Sequence, residues 1–557
     1  MENQGGSWTR RKFLQMVGIA GGSAAVYESM VALGMLRTPE AYAGPPKLPA
    51  GAGSGKSVVI LGAGVGGLTA AYELRKADYD VWILEASART GGRSLTVRRG
   101  DAIEQMGRPN QICHFDDGLY LNAGPGRIPY HHQAVISYCR ELNVALQVYV
   151  METRVNLFQT PDAFDGQPVK NRRIANDTRG YISELLAKSV QKQTLDAELS
   201  GDDRAKLLDL LTVFGDVDPE KGYKYEGSSR SGYVVEPAVV EAGIIEPPLP
   251  LQSLLSSEFW LHRFYQPEEY EWQPTLFQPV DGMDHFAHAL AKQVENRIIR
   301  NAEVVQVLNG DDGVRVTYRD RKTGRQLIRR ADYCISNIPL PLATKIIDND
   351  TFTEEYKQAA GAVTFAKTCK VGWQANERFW ESPQNQIYGG ISWINDPITQ
   401  MWYPSNDYFS RKGVLTGAYN YGDVAKDFGE LSFADRLRVA REGAERLYPD
   451  FAKYVPTELG LSIAWQMVPF QEGGWSDWDW TVPEQKDAYD RLLEPDKRFQ
   501  VCGDQMSYLP GWQEGAVLSA HHVVEQIAGL KRAVPKLKVA GVPSKRRARR
   551  ITGAEVR

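Results

Sequence analysis

The apolar positions near the front of the chain change period twice within thirty residues. Residues 58–61, VVIL, form an unbroken apolar run, the pattern of a strand buried on both faces. A glycine-rich step comes next at 62–67. Residues 68–74 then place apolar side chains at Leu68, Ala71, Tyr72 and Leu74, which is helical spacing. The next apolar run, DVWILE, predicts a second strand ending at Glu85. Further along, HHQAVISYCRELN, ISELLAKSVQKQ and RAKLLDLL predict helices between about residues 131 and 276. They are interrupted by the proline-rich loop VEPAVVEAGIIEPPLPLQ.

Two phosphate-type glycine signals lie almost in tandem before the first helix. AGAGSGKS (50–57) has the look of a Walker loop, but such a loop must follow a strand and open a helix. Here the prolines of GPPKLP precede it and the strand SVVIL comes after it, so Lys56 is expected to be solvated. Gly62, Gly64 and Gly67 stand in the required strand, turn, helix order of a dinucleotide fold. Glu85 ends the second strand 23 residues after Gly62, where an acid accepts ribose hydroxyls and excludes a 2′-phosphate.

Length and composition narrow the class. A chain of 557 residues should hold two or three domains, and 43% hydrophobic with 24% charged content is ordinary for a globular protein. A net charge of −4 gives no reason to expect nucleic acid as a partner. The exception is the end, LKRAVPKLKVAGVPSKRRARR, read as a basic disordered tail over 531–557. At the start, TRRKFLQ, a weakly apolar stretch and the small-residue site AYA resemble a twin-arginine export signal over 1–43, implying a periplasmic or secreted protein. Gly21, Gly22 and Glu28 dilute that stretch below the roughly 20 apolar residues of a membrane span. The five cysteines show no CxxC pair and are expected to be buried thiols, not a disulfide framework or a metal site.

The residues directly after Glu85 separate FAD from NAD. EASARTGGRS sets a second glycine pair between Arg89 and Arg93, able to bring amides and guanidinium charge to a diphosphate. This segment resembles the ExxxRxGGR signature of the flavin amine oxidase family, most like the bacterial L-amino acid oxidases. VDGMDHFAHAL, NAEVVQVLNGDDGVRVTY with RRADYCISNIPLPL, and FQVCGDQMSYLPGWQEGAVLSAHHV resemble further motifs of that family in its order. The match spans about residues 56–530.

The resemblance implies an α/β chain with a discontinuous, glutathione-reductase-like Rossmann domain for FAD, built from 54–112, 277–343 and 492–530. A mixed-sheet substrate domain is expected from 113–130 and 344–491, and a helical subdomain from 131–276. Cofactor contacts are implied at Gly62, Gly64, Gly67, Glu85, Ala86, Arg93, Gly124, Pro125, Gly126, Arg127, Val304, Gly503, Asp504, Gly515 and Ala516.

The segment LNAGPGRIPYHHQAV is similar to the GPxRxP stretch of L-amino acid oxidases, whose arginine holds the substrate carboxylate, and Arg127 matches it. QMWYPSND resembles their tyrosine-bearing strand, giving Tyr403 as a second carboxylate contact, with Trp402 the alternative on the opposite strand face. The same likeness puts the lysine that holds water near flavin N5 at Lys370, or else Lys367, and aromatic substrate contacts at Trp465 and Trp512. His131 and His132, at a helix start, are read as solvated. Asp423, Asp477, Asp479 and Glu514 are acids able to select a basic substrate side chain, but the sequence does not place them.

The activity implied is oxidative deamination of an L-amino acid by hydride transfer from Cα to flavin N5, with dioxygen as acceptor. It gives a 2-oxo acid, ammonia and hydrogen peroxide, needs no metal, and leaves a homodimer open. Amine oxidases without a carboxylate anchor and amino-acid monooxygenases share the scaffold and remain alternatives. A flavoprotein without catalytic function finds no support in the sequence.

Overall fold

The computed structural model describes residues 44–530 apart from 196–197, and all the elements named here belong to the unit Pro46–Arg557. The expected export signal, 1–43, and the basic tail, 531–557, lie outside the described residues.

A five-stranded sheet runs in the order Ile298–Arg300, Asp80–Glu85, Ser57–Leu61, Tyr333–Ser336 and Phe499–Val501, with every neighbouring pair parallel. Parallel strands are covered on both faces, which is why this one reads as an unalternated apolar run. Val58, Val59, Ile60 and Leu61 are all buried. The chain leaves Leu61 through Gly62, whose φ of +94° favours glycine, and enters the helix Val65–Lys76. A Cβ at Gly67 would sit 2.2 Å from the Gly62 carbonyl oxygen, so the third glycine permits the close approach of helix to turn. The AGAGSGKS stretch forms turns and Lys56 is exposed. The antiparallel strands Ala302–Asn309, Val314–Asp320 and Gln326–Ala331 form a separate meander, inserted in the chain between the parallel strands Ile298–Arg300 and Tyr333–Ser336.

A seven-stranded mixed sheet builds the second layer. Its order is Val169–Lys170, Leu157–Gln159, Ile391–Ile394, Gln400–Trp402, Gly413–Tyr421, Thr368–Ala375, Gly460–Ala464. Leu157–Gln159 runs parallel to Ile391–Ile394 and the other pairs are antiparallel. One face carries Cys369, Val371, Met401, Tyr403 and Ala418 into a core with Leu437, Ala440 and Ala444 of the helix Phe433–Leu447. The other face carries Lys370 and Trp402. This is the α/β organisation expected, with a Rossmann-like sheet and a mixed sheet in one chain.

The stretch 131–276 contributes the helices Gln133–Glu141, Asn171–Gln191, Gly201–Gly215 and Leu251–Ser256. It is not wholly helical. Leu157–Gln159 and Val169–Lys170 extend the mixed sheet, and Leu146–Tyr149 pairs with Leu276–Pro279. All five cysteines are buried and unbridged. Among the described residues no helix is long and apolar enough to cross a membrane.

Candidate active site

A cavity of about 560 Å³ opens at the carboxyl end of the parallel strands. Gly62 and Gly64 of the glycine turn line it, with Glu85, Ala86, Arg93, Pro125, Val304, Asp504, Trp512 and Ala516. Residues expected from the sequence to hold cofactor or substrate therefore converge on one space, although they come from distant parts of the chain. The two glycine motifs meet directly, since Gly64 and Gly91 form a β-bridge and the Gly91 amide donates to the Ala63 carbonyl at 2.8 Å. Glu85 is buried, and its oxygens accept from the amides of Ala63 and Ser87, each at 2.7 Å. That fixes the carboxylate at the cavity wall.

Arg93 forks onto both oxygens of Asp504, at 3.2 and 2.5 Å, and donates to the Gly474 carbonyl at 2.6 Å. This bidentate pair ties the second glycine motif to the last one. Asn337, which no sequence motif marked as a contact, lies at the same spot: a Cβ on Gly64 or Gly66 would approach its side chain to 2.6 and 2.8 Å. The bare backbone of the turn, the ribose-type acid and the guanidinium fit an FAD diphosphate and ribose. Val304 enters the wall beside a bulge that leaves Val305 unpaired with the neighbouring strand. Four other implied contacts serve packing. Gly67 seats the helix, Gly515 leaves room for the Leu509 carbonyl oxygen, which an added Cβ would meet at 2.5 Å, and Gly124 lets the Arg93 carbonyl pass. Gly503, at φ +109°, makes the turn into Asp504 against Asn337.

Next to this cavity stands a second constellation, joined to it through Trp512. Arg127 is 7% exposed, yet among the described residues no carboxylate pairs with it and its Nε has no partner. Aromatic rings take the place of a counter-ion. Its guanidinium carbon lies 3.9 Å from the ring centre of Trp272, 5.1 Å from Trp402, 5.8 Å from Trp512 and 5.9 Å from Tyr149. Gly126 allows this packing, because a Cβ there would meet the Trp402 ring at 2.8 Å. The Tyr149 hydroxyl is buried with no acceptor for its proton among the described residues.

Of the two lysines, Lys370 is buried and Lys367 exposed. Lys370 Nζ donates to the carbonyls of Asn122 at 3.0 Å and Gly124 at 2.6 Å, and stands 4.6 Å from the Trp402 ring centre. Burial, reinforced by the nearby Arg127 charge, lowers its pKa to about 7.

Two expected substrate contacts are corrected. Tyr403 points into the opposite core, where its hydroxyl bonds Ser392 Oγ at 2.8 Å and the Tyr448 hydroxyl at 2.6 Å. Strand alternation is the reason: Met401 and Tyr403 share one face and Trp402 takes the other, toward Arg127 and Lys370. Trp465 is 4% exposed in a separate core cluster and donates its Nε1 to the Ala123 carbonyl at 2.9 Å, so it buttresses the loop before Arg127. His132 is likewise not solvated. Its ring lies 5.0 Å from Trp512, and burial lowers its pKa to about 3, so it is neutral.

The residues missed are Tyr149, Trp272 and Tyr419. Tyr419 pairs with Lys370 across the sheet, and its ring lies 4.9 Å from Trp402. Tyr419 was within reach of alternation once Lys370 was placed; Tyr149 and Trp272 carry no local signal. Among the acids the sequence left unplaced, Asp423, Asp477 and Asp479 are exposed. Glu514 instead accepts from the amides of Ala134 and Val135, capping the helix Gln133–Glu141.

Comparison with known proteins agrees with this geometry. The family model for flavin containing amine oxidoreductase matches residues 65–528. The chain is 26% identical over 493 residues to a flavin-dependent L-tryptophan oxidase of Lentzea aerocolonigenes, covering 85% of this chain and 98% of that protein. It is 24% identical over 481 residues to an L-amino acid oxidase of Bothriechis schlegelii, covering 83% and 88%. A putrescine oxidase solved with putrescine bound shares the fold, with a TM-score of 0.56 at 18% identity over 85% of this chain and 99% of that one. The cofactor is accordingly FAD, and the chain belongs to the flavin containing amine oxidoreductase family.

Proposed function

We propose that the protein oxidises L-amino acids, converting substrate, water and dioxygen into a 2-oxo acid, ammonia and hydrogen peroxide. The observation that carries this reading is Arg127, a buried cation without an anion of its own beside the cofactor cavity. Removing a guanidinium from water costs several kcal/mol unless an opposite charge reaches it. A substrate α-carboxylate supplies that charge, in the fork geometry guanidinium prefers.

Bound FAD supplies a two-electron acceptor in the cavity whose wall Trp512 shares. The chain's own residues do the rest. Arg127 holds one end of the carboxylate and Tyr149 donates its unused proton to the other. Trp272, Trp402 and Trp512 exclude water and fix the orientation of Cα. Near neutral pH Lys370 Nζ exchanges its proton, and while neutral it accepts one from the substrate ammonium or from water. A diamine suits this pocket less well, because a dication would face Arg127. The twin-arginine pattern supports export of the enzyme.

The test is peroxide release by flavin-loaded protein over twenty L-amino acids, repeated for Arg127→Ala. Breaking a buried charge pair costs about 3–5 kcal/mol, so KM should rise more than about a hundredfold. Retained turnover in that variant, or turnover confined to amines without a carboxylate, would refute the reading.

A further inference from the structure

Away from the cofactor cavity, the surface of the helical stretch is unusually apolar. Among the described residues, more than half of the exposed large apolar side chains lie between Ile182 and Tyr265. The helix Gly201–Gly215 contains the run LLDLLTVF, yet it buries only Leu211 and Gly215. A helix so apolar on several sides is normally covered on them. Leu210, Val213 and Phe214 are neighbours on its outer side, at the three- and four-residue spacing that brings side chains together. The guanidinium carbon of Arg179 lies 5.6 Å from the Phe214 ring centre, and Ile182 and Leu185 follow Arg179 at three-residue steps in the helix Asn171–Gln191. Both are exposed, so the two helices share one bare apolar face.

An arm adjoins this face. Tyr233–Val235 and Ile244–Ile245 form a two-stranded hairpin that joins no larger sheet among the described residues. Its root is tied to the end of the helix Gly201–Gly215, where Arg230 donates to the carbonyls of Val213 at 2.9 Å and Phe214 at 3.2 Å. Val234, Val239, Val240 and Ile244 of the arm are exposed, Val239 and Val240 almost completely. A lone hairpin is marginally stable in water, and apolar residues on an open strand edge favour pairing with another chain.

We propose that a second copy of this chain covers this surface, with the helix face and arm of one protomer packed on the same features of its partner about a two-fold axis. The area suffices. The nine apolar residues named, exposed by 44 to 102%, leave on the order of 1,000 Å² uncovered, where a stable interface takes about 800 Å² from each partner and the largest apolar patch of a monomer is about 300–600 Å². The charges suit a copy as well. Arg179, Lys206 and Asp203 fringe the helix face, and Glu236 and Glu241 flank the arm tip. A two-fold contact can set these opposite signs against each other, whereas an anionic membrane would be repelled by the three acids. No residue between Pro125 and Ala302 lines the cofactor cavity, so the contact leaves the flavin site free.

The test is sedimentation velocity of the flavin-loaded protein from nanomolar to micromolar concentration, for the parent, Leu210→Glu and Val240→Glu. The parent should sediment at twice the monomer mass at micromolar concentration. Each substitution buries an unpaired carboxylate in the contact and should raise the dimer Kd more than about a hundredfold, with flavin content and flavin spectrum unchanged. Deuterium exchange of the parent gives a readout without substitutions: amides of residues 233–246 should exchange at least about tenfold more slowly in the dimer than in the diluted monomer. A parent that stays monomeric, including one that binds anionic lipid vesicles instead, would overturn the proposal. So would a dimer whose Kd neither substitution moves, or exchange in 233–246 that is independent of concentration.

Discussion

Tyr149→Phe removes one buried oxygen and leaves the ring packed against Arg127. In the free protein that oxygen has no acceptor for its proton. A buried O–H proton without an acceptor costs about 1–3 kcal/mol, which offsets what the oxygen gains beside the Arg127 guanidinium, so its removal should leave the melting temperature of the substrate-free protein little changed. With substrate bound the balance shifts. The hydroxyl then donates to a carboxylate, and a hydrogen bond to a charged group is worth about 1.5–3 kcal/mol. At about 1.4 kcal/mol per tenfold, KM should rise roughly 10- to 100-fold. The assay pairs steady-state peroxide release across a substrate titration with thermal unfolding of the holoenzyme without substrate. A merely structural tyrosine would lower the melting temperature and leave KM alone, and that result would refute the reasoning.

The same geometry sets two further outcomes. With its pKa lowered to about 7, Lys370 is charged below that pH and neutral above it, so kcat/KM should rise with pH through about 7. Lys370→Met should flatten that limb of the pH profile, and a limb that survives the substitution assigns the titration to another group. Tyr403→Phe should destabilise the protein by about 1–3 kcal/mol, since it strips partners from Ser392 and Tyr448, while kcat/KM stays within about twofold. Denaturant unfolding and substrate kinetics on one preparation check both halves, and a loss of turnover without destabilisation would contradict the assignment of Tyr403 to the core.

The cofactor side of the molecule was legible in the chain because its chemistry constrains backbone and local order. A turn that must bring amides to phosphate needs Gly62 at positive φ and Gly67 without a Cβ, and a ribose acid must end the next strand, as Glu85 does. Such demands are met within thirty residues and leave marks that survive without a fold. The pairing of Arg93 with Asp504 was foreshadowed only in that both belonged to motifs of one family. Asn337 was passed over because its role appears only when the closing strand is laid beside the glycine turn.

On the substrate side the sequence named Arg127, Lys370 and Trp512, which the structure brings together, and Trp402 only as an alternative. Whether Trp402 or Tyr403 faces the site depends on one residue of register at the end of the strand Gln400–Trp402, and a slip of one exchanges the two faces. Nothing in QMWYPSND decides it. The helix Phe433–Leu447 does, by packing on the face that carries Met401 and Tyr403.

By itself, then, the sequence determined the fold class, the cofactor, the glycine turn with its acid, and the two cations of the site. These rest on local backbone requirements and on charges that could be matched to known motifs. Of the rings around Arg127 the sequence named Trp512, and the tertiary structure decided the others. Tyr149, Trp272 and Trp402 come from three separate segments, and only the packing of the mixed sheet against its helices brings their rings around one guanidinium.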